Sequence, residues 1–162
     1  MPEYKAAKRI SVYLSMPSGE ISTMGIVHDA LAQGKRVFIP YTYTPNSPRV
    51  GQPKSIMDML ELESMQDFES LQPDKWNIPT PSEDSIPGRE NSFGGEGVTN
   101  GNNAGNENGL DLIVMPGMAF DPNFGRLGHG KGYYDYFLRR CHDTSRMPFR
   151  GKKLGLHFGW VF

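Results

Sequence analysis

At 162 residues the chain is long enough for one domain with its own core. Its formal net charge of −1 leaves no global field to gather nucleic acid or an anionic membrane surface. The single cysteine, Cys141, excludes an intrachain disulfide framework and fits a reducing compartment. No apolar run approaches the ~20 residues that span a bilayer, and Met1–Ile10 has no secretory hydrophobic region, so no membrane association is expected. The expected location is the cytoplasm, with a mitochondrial one as the alternative.

Arg9-Ile10-Ser11-Val12-Tyr13-Leu14-Ser15 is rich in β-branched and aromatic residues and reads as a strand, broken by Met16-Pro17-Ser18-Gly19. Ser22 or Thr23 can cap the next helix, which has Val27, Ala30 and Leu31 on one face and Gly34 as its stop. Arg36-Val37-Phe38-Ile39-Pro40 is a second strand, so the first 40 residues make a βαβ unit with parallel strands. Thr42–Lys54 is a loop. Met57–Leu62 reads as a strand with polar alternation, and Asp67–Leu71 as one helical turn. Gln72–Pro81 is irregular, with Trp76 among prolines.

Over Ser82–Gly109 about half of the residues are Gly or Asn, and only Ile86, Phe93 and Val98 are large and apolar. Such a composition buries too little surface to offset the entropy of ordering it, so a disordered loop insertion is expected there. Leu110-Asp111-Leu112-Ile113-Val114-Met115 carries the strongest buried-strand signal. A glycine-rich run follows, then a helix from about Lys131 to His142 and a last strand over Lys153–Phe158. The expected fold class is α/β: an open, mostly parallel sheet flanked by helices in three layers, forming a single domain over 1–162.

The run Gly125-Arg126-Leu127-Gly128-His129-Gly130-Lys131-Gly132-Tyr133-Tyr134-Asp135 carries the chemistry. Glycines let backbone N–H groups turn toward a ligand and approach it closely, which makes an anion-binding concavity. Arg126 offers a fork to phosphate oxygens and Lys131 a point charge. The run opens a helix beyond the carboxyl end of a strand, where open parallel sheets place ligands and where the helix dipole favours anions. It has neither the P-loop nor the G-x-G-x-x-G spacing. The plain alternative is a flexible turn with solvated cations.

Asp135 is a candidate magnesium ligand, or else the partner of Lys131 in a surface i,i+4 pair. Tyr133 and Tyr134 either stack on a ligand ring or pack with Phe137 and Leu138 in the core. Glu20, after the first strand, can face the same crevice or sit near the dipole of the next helix. Trp76 walls a pocket or joins the core. His28, His142 and His157 lack metal spacing, and Cys141 lacks a base partner.

Several blocks together resemble the 5-formyltetrahydrofolate cyclo-ligase (methenyltetrahydrofolate synthetase) family. They are Ala7–Met16, Gly34-Lys35 before Phe38-Ile39-Pro40, Trp76-Asn77-Ile78-Pro79, Asp111–Gly117, Ala119-Phe120-Asp121 and above all Arg126–Asp135. The resemblance implies a ligase that uses ATP and Mg2+ to convert 5-formyltetrahydrofolate to 5,10-methenyltetrahydrofolate, acting as a monomer. It implies ATP contacts at Arg126, Leu127, Gly128, His129, Gly130, Lys131, Gly132, Tyr133 and Tyr134. Arg126 and Lys131 would stabilise the transferring phosphoryl group, and Asp135 would hold the metal. Substrate contacts are implied at Leu14, Glu20, Trp76, His129, Gly130, Lys131, Gly132 and Tyr133. The family also carries a basic Lys-x-x-Leu-Arg element before the first strand and further strands after the last one. Neither stands in this sequence, so the domain is expected to be incomplete at both ends. Two other readings are a remnant that binds nucleotide or folate without turnover, and a sugar-phosphate isomerase relative, for which no acid–base pair stands out.

Overall fold

The computed structural model describes residues 1–17, 20–102, 109–123 and 125–148. A short helix α1 (Pro2–Ala6) precedes strand β1 (Arg9–Val12), where the sequence suggested that the strand starts almost at once. Helix α2 (Met24–Ala32) returns the chain to β2 (Arg36–Tyr43), and β3 (Ile56–Leu62) follows. Helix α3 (Met65–Ser70) is capped by Ser64, whose hydroxyl accepts the Asp67 N–H. A small hairpin, β4 (Gln72–Pro73) and β5 (Pro79–Thr80), occupies the stretch expected to be irregular. After a 3-10 turn at Glu83–Gly88 come β6 (Leu112–Val114), the pair β7 (Ala119–Phe120) and β8 (Arg126–Leu127), and helix α4 (Tyr133–Asp143).

The main sheet has the order β3-β2-β1-β6, with β1 parallel to both β2 and β6, and β3 antiparallel to β2. Strand alternation gives each face its own core. Ile10, Val12, Val37, Ile39 and Leu62 pack with Val27 and Ala30 of α2 on one face. Phe38, Met57 and Met59 pack with Phe93, Leu110, Phe137 and Cys141 on the other. Helices therefore cover both faces, and this is the three-layer α/β class with a mostly parallel sheet. The carboxyl ends of β1, β2 and β6 open on one side, where such sheets hold ligands. Strand β6 is half-buried at one edge of this described sheet, not deep in it as its apolar run suggested. The strand expected at Lys153–Phe158 lies outside the described residues.

The expected disordered insertion is the largest correction. Through Asn102 the segment is ordered, and 103–108 lie outside the described residues. Arg89, Asn91, Ser92 and Phe93 are buried, and Leu60 bridges Asn91 so that the segment runs beside β3 as a strap. The Glu61 N–H donates to the Glu90 carbonyl and the Ser92 N–H to the Met59 carbonyl, which covers the free edge of β3. Polar side chains do what apolar content could not. Arg89 forks onto Asp67 at 2.7 Å through both nitrogens, and Glu90 joins Arg9 at 3.0 Å and also pairs with Arg36. Asn91 donates both to Asp58 and to the Gly97 carbonyl at 2.9 Å.

The burial of Asp58 was not foreseen from sequence. The sequence reading of β3 as a strand with polar alternation did not place this carboxylate, and it is 0% exposed. Its oxygens accept from Arg140 at 2.7 Å, from the Thr99 N–H at 2.7 Å, from Asn91 at 2.9 Å and from the Tyr43 hydroxyl at 3.0 Å. That many donors replace the water a buried carboxylate would lose.

Candidate functional site

The glycine-rich run begins as a hairpin rather than a plain loop. Phe120 pairs with Arg126 and Ala119 with Leu127, and the turn is tied by Asp121, whose Oδ1 accepts from Asn123 and Gly125 N–H groups. The chain then passes Gly130 (φ +81°) and Gly132 (φ +71°), both left-handed, before α4 starts. This is why α4 begins at Tyr133 and not at Lys131, and why Lys131 and Asp135 do not form the expected i,i+4 pair.

Asp135 is held instead by Arg126, at 3.2 Å, while its side chain stays 77% exposed. The other branch of Arg126 donates to the Pro116 carbonyl at 3.0 Å, just past β6, and its guanidinium lies 5.5 Å from the centre of the Tyr134 ring. Gly128 makes this possible, since a Cβ there would lie 2.7 Å from the Arg126 guanidinium. Lys131 and His129 are exposed, and among the described residues the Lys131 ammonium has no hydrogen-bond or ion-pair partner. Around Gly130 and Gly132 a Cβ would meet no atom within 4 Å, so the loop is open toward solvent. Exposed glycine amides, a free ammonium and the N-terminus of an eleven-residue helix together suit a polyphosphate. The exposed oxygen donors of Asp135 suit a divalent cation accompanying it.

Leu14 and Glu20 reach the same side of the sheet. With Ser15, Met16, Thr23, Phe68, Asn77 and Pro79 they line a cleft of about 300 Å³. The Glu20 carboxylate accepts the Met16 N–H at 2.8 Å, and Thr23 donates its hydroxyl to the Tyr13 carbonyl at 2.6 Å rather than capping α2. Burial raises the Tyr134 phenol above its ordinary value. The nearby Arg126 opposes this, while Tyr13 and Glu20 add to it. The Tyr13 phenol is likewise raised by burial and then by Glu20. Strand β1 lies parallel beside β6, so the cleft at the end of β1 and the hairpin that follows β6 open on the same side of the sheet. A shallower groove of about 480 Å³ lies over the start of α2, sharing Ser22 and Met24 with the cleft. His28 is its one titratable side chain.

Tyr133 and Tyr134 both pack against the core shared by Phe93 and Phe137. Trp76 meets neither expectation. It is 62% exposed, with Lys75 over its ring at 5.6 Å, and it does not line the cleft. Asn77 (φ +59°) and Pro79 line the cleft instead. These two, with Met16 and Phe68, were not foreseen from sequence. Only the adjacency of Asn77 and Pro79 to Trp76 hinted at them. Cys141 is buried, its thiol pushed up to about 12 by burial, which suits packing rather than nucleophilic chemistry. Among the described residues no helix is long and apolar enough to cross a membrane.

Comparison with known proteins identifies the family. The chain is 40% identical over 140 residues to a 5-formyltetrahydrofolate cyclo-ligase of Mus musculus, covering 86% of this chain and 57% of the mouse protein. It is 37% identical over 155 residues to a Caenorhabditis elegans protein described as a probable 5-formyltetrahydrofolate cyclo-ligase, covering 94% of this chain and 63% of that one. The chain thus spans less than two thirds of the length of these curated relatives. A solution structure of Aquifex aeolicus 5,10-methenyltetrahydrofolate synthetase superposes with a TM-score of 0.53 at 25% identity, over 86% of this chain and 55% of that one. The family model for 5-formyltetrahydrofolate cyclo-ligases matches residues 1–158, and the chain belongs to that family.

Proposed function

We propose that this chain carries the nucleotide and folate sites of an ATP-dependent ligase that closes 5-formyltetrahydrofolate to 5,10-methenyltetrahydrofolate, releasing ADP and phosphate. The observation that carries the reading is one juxtaposition. An open, cationic, glycine-rich turn runs from the hairpin after β6 into α4, and a cleft lined by Leu14 and Glu20 opens at the carboxyl end of the neighbouring parallel strand β1. The first site suits a triphosphate and the second a small ring system.

The chemistry needs positioning and charge more than a protein nucleophile. A formamide oxygen leaves poorly. Transfer of the γ-phosphoryl group to that oxygen breaks the bond to ADP and makes phosphate the leaving group. The N10 amine of the folate then attacks the formyl carbon and loses its proton as phosphate departs with the C–O bond. Lys131 and the amides of Gly128, Gly130 and Gly132 hold the phosphates. Arg126 lies within reach of the same charge once its fork releases Asp135. Asp135 holds magnesium, which when bound screens the charge of the phosphate oxygens. Glu20 and Leu14 orient the pterin end, with Asn77 and Pro79 closing the cleft. His129 and Tyr133 border both ligands, Leu127 lies on the exposed hairpin, and Trp76 stands outside the cleft lining. The setting is cytoplasmic and the unit a monomer built as a single domain.

Calorimetric titration of the folded chain with MgATP and with 5-formyltetrahydrofolate tests the two sites. Appearance of the methenyl product in the absorbance spectrum tests turnover. A folded sample that binds neither ligand overturns the reading. Binding without product assigns the chain as a ligand-binding unit only.

A further inference from the structure

The first turn of α4 carries Tyr133, Tyr134 and Asp135, and Gly132 is its cap. The proposed nucleotide site is therefore only as well placed as this helix. Two turns further on, roughly 10 Å along the axis, Arg140 is 4% exposed and meets both β3 and the strap. It donates to the Met57 carbonyl at 3.1 Å and to Asp58 at 2.7 Å on β3, and to the Thr99 hydroxyl at 2.7 Å on the strap. Its guanidinium lies 4.4 Å from the centre of the Phe93 ring, which also packs at 5.0 Å against Phe137 of α4.

Apolar contacts alone would let a helix slide or rotate by fractions of a turn at small expense. Directional, charge-assisted bonds from one guanidinium to a strand carbonyl, a strand carboxylate and a strap hydroxyl do not. A buried ion pair contributes little net stability compared with an apolar pair of the same shape, so its distinctive effect is to fix geometry.

We propose that Arg140, with Asp58 and Thr99, is a positioning group for the nucleotide site: the strap and β3 clamp the rear of α4 so that its N-terminus presents the glycine-rich turn in one register. The inference rests on the nucleotide reading of that turn, and it makes the strap a working part of the site. The three side chains touch neither proposed ligand. They act through the helix.

The test uses the full chain and the variant Arg140→Lys, which keeps the charge and loses the fork. The Tyr136 N–H donates to the Gly132 carbonyl at 2.9 Å and so reports on the first turn of α4. In Arg140→Lys its hydrogen-exchange protection is expected to fall at least tenfold more than that of amides in β2. MgATP affinity is expected to fall about tenfold, while affinity for 5-formyltetrahydrofolate at the β1 cleft stays within twofold. A general loss of stability would not separate the two ligands. Should Arg140→Lys fail to fold, Thr99→Val removes only the strap hydroxyl and is measured in the same way. Unchanged Tyr136 protection with unchanged MgATP affinity overturns the proposal, as does an equal loss for both ligands. If the unmodified chain binds no MgATP, the nucleotide reading fails, and the Tyr136 amide still decides whether the clamp holds the helix end.

Discussion

Two stretches of this chain are rich in glycine, and the structure treats them oppositely. In the strap, Gly97 donates its N–H to the Arg89 carbonyl and accepts from the Asn91 side chain, and a Cβ on it would lie 3.4 Å from Pro87. In the turn before α4, Gly130 and Gly132 have the same left-handed backbone, but a Cβ there would meet nothing within 4 Å. Gly97 lets the strap fold tightly on itself. Gly130 and Gly132 leave the loop before α4 open to solvent. What separates them is the company of side chains. Arg89, Glu90, Asn91, Phe93 and Thr99 bind the strap to its neighbours, whereas His129 and Lys131 point away from the protein. Glycine content alone indicates neither order nor function. Both depend on whether the neighbouring polar groups are satisfied within the protein.

The largest expected effect comes from breaking the strap's anchor. Arg140→Ala leaves Asp58 charged and fully buried without its cation. Losing one partner of a buried pair costs about 3–5 kcal/mol, read as a lower urea midpoint with an unchanged slope. A loss below about 1 kcal/mol would mean that water reaches Asp58 and that the pair is not closed. Phe93→Ala is next. The ring is 2% exposed between Phe137 and Arg140, and truncating a buried Phe costs about 3–5 kcal/mol, toward the lower end where the surroundings can collapse. A disordered insertion would tolerate the change within about 0.5 kcal/mol, so this substitution alone separates an ordered strap from a floppy loop.

At the open turn the same kind of experiment should leave stability alone and change binding. Lys131→Ala removes an exposed ammonium that has no partner among the described residues, so the melting temperature should stay where it is. MgATP affinity should drop about tenfold, close to 1.4 kcal/mol for one charge-assisted contact. A melting shift without an affinity change would reverse the contrast between the two regions and place Lys131 in the fold.

Much of the sheet was legible because its signals are local. The β-branched runs at Ile10–Val12 and Val37–Ile39 declare strands by composition, and Gly34, at φ +71°, marks the end of α2. The arginine- and glycine-bearing run before α4 was legible for the same reason: its cations and glycines are contiguous. The strap was not, since its order comes from partners far away in sequence, Asp67 for Arg89 and Arg9 and Arg36 for Glu90. The burial of Asp58 was not legible on the same ground. Alternation along β3 cannot show that a cation 82 residues later covers the inward carboxylate. Trp76 drew attention as the rare residue of its block. The fold turned Asn77 and Pro79 into the cleft instead, through the positive φ of Asn77 that no composition rule demands.

The smallest effect is an acid one, and it sharpens the same contrast. Burial by itself raises the Asp67 carboxyl, but the Arg89 fork, the Glu63 N–H and the Arg89 charge together pull it below the usual carboxylate range. Burial also raises Glu90, and the bonds and charges of Arg36 and Arg9 again bring it down. A carboxyl whose folded value is lowered stabilises the native state at every pH above its unfolded value. That contribution is lost as pH falls through the folded one. Stability should therefore hold near neutrality and decline from about pH 5 toward about pH 3, by roughly 1 kcal/mol or less for each partly exposed pair. Asp67→Asn should start lower at neutral pH and decline less steeply than the unmodified chain, because the neutral amide has no proton to take up. Parallel curves for the two would mean that the Asp67–Arg89 fork adds no net stability to the folded chain. Packing would then hold the strap to α3, and the Arg89 bond to the Glu61 carbonyl at 2.9 Å would hold it to β3.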